Sequence, residues 1–220
     1  MNQIPDNWQI SFDEINFNLE LLPSKHLGVF PEQSCNWKWL GEKIKSENRK
    51  VSVLNLFGYT GGSTLACAKV GAEVCHVDAS KFAVDLAMKN RDLSGLSKSP
   101  IRFIVDDVRK FVEREIKRGN KYDIVIMDPP VYGKGLKKEV WKIEEDLMPL
   151  LSRVQKIISS DPVAIILNGY ASGYSHITYK QMLESVTKDS GGGVFSGELS
   201  IKESSSDHLL PCGIFARWEK

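Results

Sequence analysis

The segment Val51-Ser-Val-Leu-Asn-Leu-Phe-Gly-Tyr-Thr-Gly-Gly-Ser-Thr64 decides the fold. Its apolar and β-branched first half predicts a buried strand that ends at Gly58, and Gly61-Gly62 predict a turn into a helix. A buried strand, a glycine turn and a helix start make the corner at which doubly wound α/β folds contact a nucleotide or a phosphate. The alternative is an ordinary strand–turn–helix corner that binds nothing.

The spacing of the glycines argues against a dinucleotide. The fingerprint G-x-G-x-x-G needs a second glycine two residues after Gly58, where this chain has Thr60. The next predicted strand ends in Asp78, and a carboxylate in that position accepts hydrogen bonds from both hydroxyls of a ribose. A ribose without a pyrophosphate favours S-adenosylmethionine (SAM) over NAD as the cofactor.

The rest of the chain alternates between apolar strands and amphipathic helices. After the first strand at 51–57, further strands are predicted at 73–78, 101–105, 122–127 and 162–167, with helices at 62–70, 80–93, 106–116, 140–158 and 176–188. Residues 194–201 and 213–218 predict a final antiparallel pair. Alternation with short connections predicts a Rossmann-like α/β fold with a mostly parallel, seven-stranded sheet and an antiparallel last strand.

Residues 1–50 are expected to form a small N-terminal extension that acts as a lid, and residues 51–220 the main domain. Loose alternation of apolar residues between Trp8 and Leu22 predicts one or two short strands. Ser34 is the predicted cap of a helix that stops near Asn48. Trp37 and Trp39 of this helix are expected to pack on the sheet.

Composition excludes several classes of protein. The chain has 220 residues, ordinary globular composition and a formal net charge of +1, which offers little support for a polyanionic partner. Its four cysteines are scattered without a C-x-x-C pair, so we expect reduced thiols rather than disulfides or a zinc site. No apolar run is long enough to cross a bilayer and no signal peptide is recognisable, so we expect a cytoplasmic protein that binds no metal.

Polar residues follow four consecutive strands of the predicted sheet. They are the segment from Asn55 to Gly62, then Asp78, then Asp106-Asp107, and then Asp128-Pro129-Pro130. Ligands of parallel sheets bind outside the carboxyl ends of the strands, so we expect these residues to line one site.

Two of these strand ends carry acids with distinct expected roles. Asp107, or its neighbour Asp106, is placed to accept a hydrogen bond from an adenine amino group, although an aspartate before a helix is also expected as its N-cap. Asp128 is followed by two prolines, which fix the backbone and hold a carboxylate and carbonyl oxygens rigidly. Such acceptors can hold an amino group or a base edge in line with a sulfonium methyl, and this positioning is the main requirement of the transfer.

Two further features follow the proline turn. Tyr132 is expected either to stack on a flat substrate or simply to pack. Lys134, Lys137 and Lys138 lie beside two glycines and would suit a phosphate backbone, although such a run is often only a solvated surface.

Together these segments resemble the class I SAM-dependent methyltransferases. More narrowly, the chain is similar to the branch of bacterial large-subunit ribosomal RNA methyltransferases that make 5-methylcytosine. The resemblance spans residues 28–218 and is carried by Gly28-Val-Phe-Pro-Glu-Gln33, the segment from Leu54 to Gly62, Val77-Asp-Ala-Ser80, Val105-Asp-Asp-Val108, Asp128-Pro-Pro130 and Asp207-His-Leu-Leu-Pro211.

The resemblance implies a role for each of these segments. The loop from Asn55 to Gly61 would hold the methionine end of SAM, Asp78 its ribose and Asp107 the adenine side, with Gln33 contributing from the lid. The cofactor-binding residues expected in this way are Gln33, Asn55, Phe57, Gly58, Tyr59, Thr60, Gly61, Asp78, Ser80, Asp106, Asp107 and Val108. The expected catalytic residues are Asp128, Pro129, Pro130 and Tyr132.

The chain departs from that branch in two respects. A 5-methylcytosine enzyme needs a cysteine nucleophile, which in the branch follows the fifth strand, and here residues 168–173 contain none. Cys212 is the one cysteine near the other motifs and is expected to be structural. No RNA-binding module of the kind that often precedes this catalytic domain is recognisable before residue 51.

We therefore expect a SAM-dependent methyltransferase that acts on RNA, preferably ribosomal RNA, and transfers the methyl group to a base positioned by Asp128-Pro129-Pro130. Two alternatives stay open. The near-neutral charge and the missing module favour methylation of a small molecule or a protein amine. The missing cysteine permits a SAM-binding protein without catalysis, but the intact Asp128-Pro129-Pro130 turn argues against it.

Overall fold

Strands and helices alternate along most of the chain. The computed structural model describes residues 8–21, 26–135, 139–170 and 173–220. In chain order the strands are Gln9–Phe12 (β1), Ile15–Asn18 (β2), Ser52–Leu56 (β3), Glu73–Asp78 (β4), Ile101–Val105 (β5), Ile124–Met127 (β6), Tyr132–Lys134 (β7), Val140–Lys142 (β8), Ala164–Gly169 (β9), Gly193–Lys202 (β10) and Leu209–Glu219 (β11). The α-helices are Ser34–Ser46 (α1), Gly62–Lys69 (α2), Lys81–Leu93 (α3), Val108–Arg118 (α4), Ile143–Val154 (α5) and His176–Thr187 (α6).

Seven of the strands form one sheet in the order β10-β11-β9-β6-β3-β4-β5. The five strands from β9 to β5 are parallel to one another. The last strand, β11, runs antiparallel to both of its neighbours, β9 and β10. The predicted Rossmann-like sheet with an antiparallel last strand is therefore confirmed.

Helices cover both faces of the sheet because the strand residues alternate in direction. Leu54 and Leu56 of β3 pack on one face with Phe111 of α4 and Leu150 of α5. Val53, which precedes Leu54, packs on the opposite face with α1 and α2. Each fully buried aliphatic side chain contributes about 1.5–3 kcal/mol, so burial on two faces stabilises the central strands.

The N-terminal segment is joined to the sheet domain by packing and by hydrogen bonds. Phe17 of β2 is fully buried and stacks on Trp37 of α1 at 5.6 Å between ring centroids. The backbone N–H of Asn18 donates to Asn90 Oδ1 of α3 at 2.8 Å. The predicted short strands are confirmed within residues 8–21. The boundary at residue 50 stays a prediction, since Leu40 of α1 belongs to the same apolar cluster as β3.

Several predicted boundaries are wrong. The last strand, β11, begins at Leu209 rather than at residue 213, so that Cys212 lies within it. The helix predicted at 140–158 begins only at Ile143, because residues 140–142 pair with β7, and a 3₁₀ turn over Gln155–Ile157 follows its end. Ser34 is the first residue of α1 rather than its cap, because a 3₁₀ turn over Pro31–Gln33 leads directly into the helix. Strand β9 begins and ends two residues later than predicted, which brings Gly169 into the sheet.

Within the described residues, no helix is both long and apolar enough to span a membrane.

Candidate active site

A cavity of about 370 Å³ opens at the carboxyl ends of β3, β4, β6 and β9. Most of the residues predicted from the sequence line it, namely Gln33, Phe57, Tyr59, Asp78, Ser80, Asp107, Val108, Asp128, Pro129 and Pro130. An adjoining recess of about 40 Å³ adds Asn55, Gly58 and Thr60 to the site. Gly61 lies outside both walls and is the residue before α2.

The loop after β3 has an unusual backbone. Phe57 and Tyr59 have φ values of +58° and +48°, and Gly61 has +94°. Left-handed conformations cost non-glycine residues roughly 1–3 kcal/mol each and persist only where the surroundings enforce them. Gly58 must be glycine, because a Cβ there would lie 2.4 Å from the imidazole of His76. This strained loop presents Phe57 and Tyr59 to the cavity.

A buried polar chain beneath the loop supports that conformation. Asn55 Nδ2 donates to Thr64 Oγ1 at 2.9 Å, and Thr64 Oγ1 lies 2.9 Å from His76 Nδ1. His76 is fully buried, and burial lowers its pKa to about 3, so the ring is neutral. Thr60 Oγ1 donates to the carbonyl of Gly28 at 2.6 Å, which ties the loop to the lid. The predicted roles of Asn55 and Thr60 in cofactor binding stay predictions, and both side chains already hold the loop.

Asp78 faces the cavity from the end of β4. Its carboxylate accepts hydrogen bonds from the backbone N–H groups of Tyr59 at 2.9 Å and Ser80 at 2.8 Å. Burial raises the pKa of this carboxyl, and the two N–H donors oppose the rise. Each carboxylate oxygen still has a lone pair for a further donor, as a ribose contact requires. The hydroxyl of Ser80 accepts from Ala83 N and caps α3, as predicted.

The two aspartates after β5 take different positions. Asp107 lines the cavity and also caps α4, accepting from the N–H groups of Arg109 and Lys110. The guanidinium of Arg109 lies 2.7 Å from its Oδ2 and holds the pKa of this carboxyl below its usual range against the effect of burial. Asp106 is not part of the cavity wall and pairs with Arg114. Of this pair, therefore, the structure brings only Asp107 into the site.

Asp128 is an acid of the cavity with a strongly raised pKa. Burial, reinforced by the negative charge of Glu32, raises the pKa of Asp128 to about 7. Pro129 and Pro130 complete the wall beside it. A carboxyl whose pKa lies near neutrality can accept or release a proton under physiological conditions.

A chain of amide side chains orients Asp128. Gln33 Nε2 donates to Asp128 Oδ2 at 3.1 Å, and Asn36 Nδ2 donates to Gln33 Oε1 at 2.7 Å. Asn36 also donates to Asn168 Oδ1 at 2.9 Å and accepts from Arg217 Nε at 2.8 Å. Gln33 and Asn36 are buried, so the network fixes the carboxylate with little freedom. The contribution of Gln33 to the site thus includes a contact with Asp128 that the sequence did not reveal.

The aromatic residue at the mouth of the cavity is not the one that the sequence predicted. Tyr132 has 54% of its surface exposed and lies outside the cavity wall, on the short hairpin of β7 and β8. Its role as a stacking residue stays a prediction without support from its position. Tyr170, just after β9, lines the cavity and is 62% exposed. Its place at the mouth could not be predicted because it depends on where β9 ends.

Trp141 is a further wall residue that the sequence did not indicate. Its indole Nε1 donates to the carbonyl of Pro130 at 2.7 Å, and its ring meets Phe57 edge-on at 4.8 Å. The tryptophan therefore fixes the proline turn and the glycine-rich loop relative to each other. The wrong assignment of residues 140–142 to a helix concealed this contact.

The expected basic loop lies partly at the cavity. Lys134 lines its mouth, whereas Lys137 and Lys138 lie outside the described residues. Other cations nearby are paired: Lys110 with Glu139, and Arg109 with both Asp107 and Asp146.

Four more titratable residues line the cavity without having been predicted to bind a ligand. They are His26, Glu32, Glu139 and Cys212. Burial raises the pKa of the Cys212 thiol, and Glu32 adds to the rise. The sequence predicted that Cys212 precedes the last strand, whereas the structure has it within β11, which lies beside β9 at the cavity. In the part of the chain that the structure describes, no cluster of histidine, cysteine and acidic side chains is placed to hold a metal ion.

Comparison with protein families finds one matching model. It is described as S-adenosylmethionine-dependent methyltransferase and matches residues 3–186. A solved structure of a SAM-dependent methyltransferase from Agrobacterium tumefaciens superimposes with a TM-score of 0.95 at 38% sequence identity, covering 99% of this chain and 71% of that one.

Curated relatives include enzymes named for ribosomal RNA. Ribosomal RNA large subunit methyltransferase K/L of Shewanella frigidimarina is 30% identical over 154 residues, which cover 69% of this chain and 21% of that protein. Ribosomal RNA large subunit methyltransferase I of Aeromonas salmonicida is 42% identical over 83 residues, which cover 37% of this chain and 21% of that protein. The chain thus spans about a fifth of the length of either relative.

Proposed function

Because the chain belongs to the family of S-adenosylmethionine-dependent methyltransferases, we propose that it transfers a methyl group to a base of ribosomal RNA that is held against Asp128, Pro129 and Pro130. The observation that carries this proposal is the half-buried, amide-oriented carboxylate of Asp128 in a cavity at the strand ends. The names of the relatives support RNA as the substrate. With that substrate, the proposed place of action is the cytoplasm.

The residues present fit SAM as the methyl donor. Asp78 would accept the ribose hydroxyls, and the loop around Phe57 and Tyr59 would face the methionine end. The hydroxyl of Tyr59 is buried without a hydrogen-bond partner among the described residues, so it can contact a polar group of a ligand in the site. Burial, reinforced by the charge of Asp78, raises its pKa to about 12, so it is a neutral donor.

Positioning is the main contribution of the chain to catalysis. Bound SAM supplies an electrophilic methyl group on a sulfonium. Asp128, fixed by Gln33, would accept a hydrogen bond from the base and orient its nucleophilic atom. The rigid turn at Pro129-Pro130, held by Trp141, would keep the base aligned with the methyl group.

The cavity favours a base heteroatom over the pyrimidine carbon that the 5-methylcytosine branch modifies. That chemistry needs a thiolate, because the thiolate is the nucleophilic form of cysteine. Cys212 is the cysteine that lines the cavity in the described chain, and its surroundings raise the pKa of its thiol. We therefore propose nitrogen or oxygen, rather than carbon, as the modified atom.

Cys212→Ser is expected to leave methyl transfer within about threefold of the wild-type rate, because a protonated thiol on the wall does not act as a nucleophile. The measurement is transfer of a labelled methyl group under saturating SAM. Cys35→Ser, at an exposed position outside the cavity, is the matched control. A loss of more than about 100-fold in Cys212→Ser alone would restore carbon methylation as the function.

The proposal is tested by supplying labelled SAM to the purified protein with total RNA from cells that lack it, and separately with a protein and metabolite extract of the same cells. Label in RNA is the expected result, and nuclease digestion followed by mass spectrometry names the modified base. Label in the extract alone would contradict the RNA proposal. SAM binding without label in either sample would indicate a non-catalytic protein.

The second candidate function is methylation of a small molecule or a protein amine. It is favoured by the pairing of two cations near the cavity: among the described residues, Arg109 and Lys110 are neutralised by acids and are therefore less available to phosphates. The extract sample of the same experiment tests it directly.

A further inference from the structure

Two carboxyl groups of the cavity have neither a cationic partner nor a pair of backbone N–H donors among the described residues. Glu32 and Asp128 both line the cavity wall, and Glu32 directly precedes Gln33, whose side-chain amide donates to Asp128. The charge of Glu32 adds to the effect of burial on the pKa of Asp128. Within the described residues, neither forms an ion pair with lysine or arginine. The other acids at the strand ends differ: Asp106 and Asp107 are each paired with an arginine, and Asp78 accepts hydrogen bonds from two backbone N–H groups.

Carboxyl groups without a cationic partner indicate that a bound ligand offers hydrogen-bond donors. Burial raises the pKa of Glu32 as well, so its charged form is also poorly stabilised. An ionised carboxylate only accepts hydrogen bonds, and burying it without donors is costly. Gln33 donates one hydrogen bond to Asp128, and the side-chain oxygen of Gln33 already accepts a hydrogen bond from Asn36. A substrate in the cavity can supply the remaining donors.

A buried hydroxyl beside this pair supports the inference independently. Tyr179 of α6 is fully buried, and its hydroxyl has no hydrogen-bond partner among the described residues. It lies against the cavity wall at Gly169, where an added Cβ would be 2.4 Å from the hydroxyl oxygen. The charge of Asp128 contributes to raising the pKa of Tyr179, so the hydroxyl stays protonated. Tyr179 thus leaves an unsatisfied donor behind the wall that carries Asp128.

We propose that Glu32 is a specificity-determining residue of the transfer: together with Asp128 it selects a nitrogen that carries hydrogens as the methyl acceptor, such as the exocyclic amino group of a base. This inference rests on the proposed function. A pyrimidine carbon offers no N–H donors to the two carboxyl groups, and a ribose hydroxyl offers one. An amino group offers two, one for each carboxylate.

The methyl transfer needs no reactant besides SAM and the amino group. The nitrogen lone pair forms the bond to the methyl carbon while the carbon–sulfur bond breaks, and its electron pair stays on sulfur. The methylated nitrogen then loses a proton to Asp128, which passes it to water. Glu32 keeps Asp128 basic enough to accept that proton.

Other titratable groups line the same cavity or, in the case of Tyr179, lie behind its wall. They come from the lid, the proline turn, the strand ends and α6, and they are His26, Lys134, Glu139, Tyr170, Tyr179 and Cys212. Among them, the imidazole of His26 lowers the pKa of Glu32, partly opposing the effect of burial.

Glu32→Gln tests the proposal in the full-length protein with total RNA as the acceptor. We expect turnover to fall at least about tenfold, SAM affinity to stay within about twofold, and the acidic limb of the pH–rate profile to shift to lower pH because Asp128 loses a neighbouring negative charge. Glu32→Asp is expected to recover part of the rate. Glu42→Gln, on the exposed surface of α1, is the matched control and should behave as the wild type.

Mass spectrometry of the wild-type product provides the second readout. A methyl group on nitrogen supports the inference, whereas one on carbon or on a ribose oxygen overturns it. An unmoved pH profile in Glu32→Gln, or a loss of SAM affinity as large as the loss of turnover, would also overturn it, the latter by assigning Glu32 to the cofactor. If the wild type labels an amine in the extract but no RNA, the RNA proposal fails and this inference stands.

Discussion

Asp128→Asn is expected to reduce methyl transfer by roughly 100- to 1,000-fold, the usual cost of removing one preorganised electrostatic group from an active site. The amide keeps the shape of the side chain but loses the negative charge and the ability to take a proton. SAM affinity should stay within about threefold, because the ribose is assigned to Asp78 at a different strand end. Rates of labelled methyl transfer and SAM titrations measure the two effects.

The wild-type rate is expected to rise with pH through about 7, where Asp128 loses its proton. Asp128→Asn should abolish this acidic limb. Asp189→Asn, at an exposed position after α6, controls for the change of charge. Methyl transfer at the wild-type rate in Asp128→Asn would remove Asp128 from the mechanism.

The same carboxyl is expected to make folding depend on pH. Its pKa is about 7 in the folded chain and near 3.8 when unperturbed, so between these values the folded state holds a proton that the unfolded state has released. The free energy of unfolding therefore falls as pH rises from about 4 to 7, by at most roughly 4 kcal/mol. Asp128→Asn should flatten this part of the stability curve, which urea unfolding at several pH values would show.

Asp78→Asn is expected to weaken SAM binding by roughly 10- to 100-fold, because hydrogen bonds to a charged group contribute about 1.5–3 kcal/mol each. Asparagine retains one acceptor oxygen for the N–H of Tyr59 or Ser80, so the loop should still fold. Calorimetric titration with SAM measures the affinity, and circular dichroism checks the fold.

Asp85→Asn on the exposed side of α3 is the matched control for this change of charge, and it should bind SAM as the wild type does. Unchanged affinity in Asp78→Asn would overturn the assignment of the ribose to this strand end. A loss of affinity together with a loss of helical signal would instead assign Asp78 to folding of the loop.

The central part of the fold was predictable because its signals are local. The apolar run before Gly58 and the acids after each strand identify parallel strands and the edge at which a ligand binds. The cap at Ser80 follows from side-chain chemistry within three residues. Errors arose where pairing across the chain overrides local pattern, as at residues 140–142, which pair with β7 instead of starting a helix.

By itself, the sequence determined the sheet, its carboxyl edge, and the acids Asp78, Asp107 and Asp128 as the polar groups placed there. Only the tertiary structure decided how these groups are used, since burial and partners are set by residues distant in the chain. It pairs Asp107 with Arg109, leaves Asp128 beside Glu32 without a cation among the described residues, and brings Trp141 onto Pro130. The pKa of a carboxyl depends on desolvation and on neighbouring charges, and neither exists until the chain has folded.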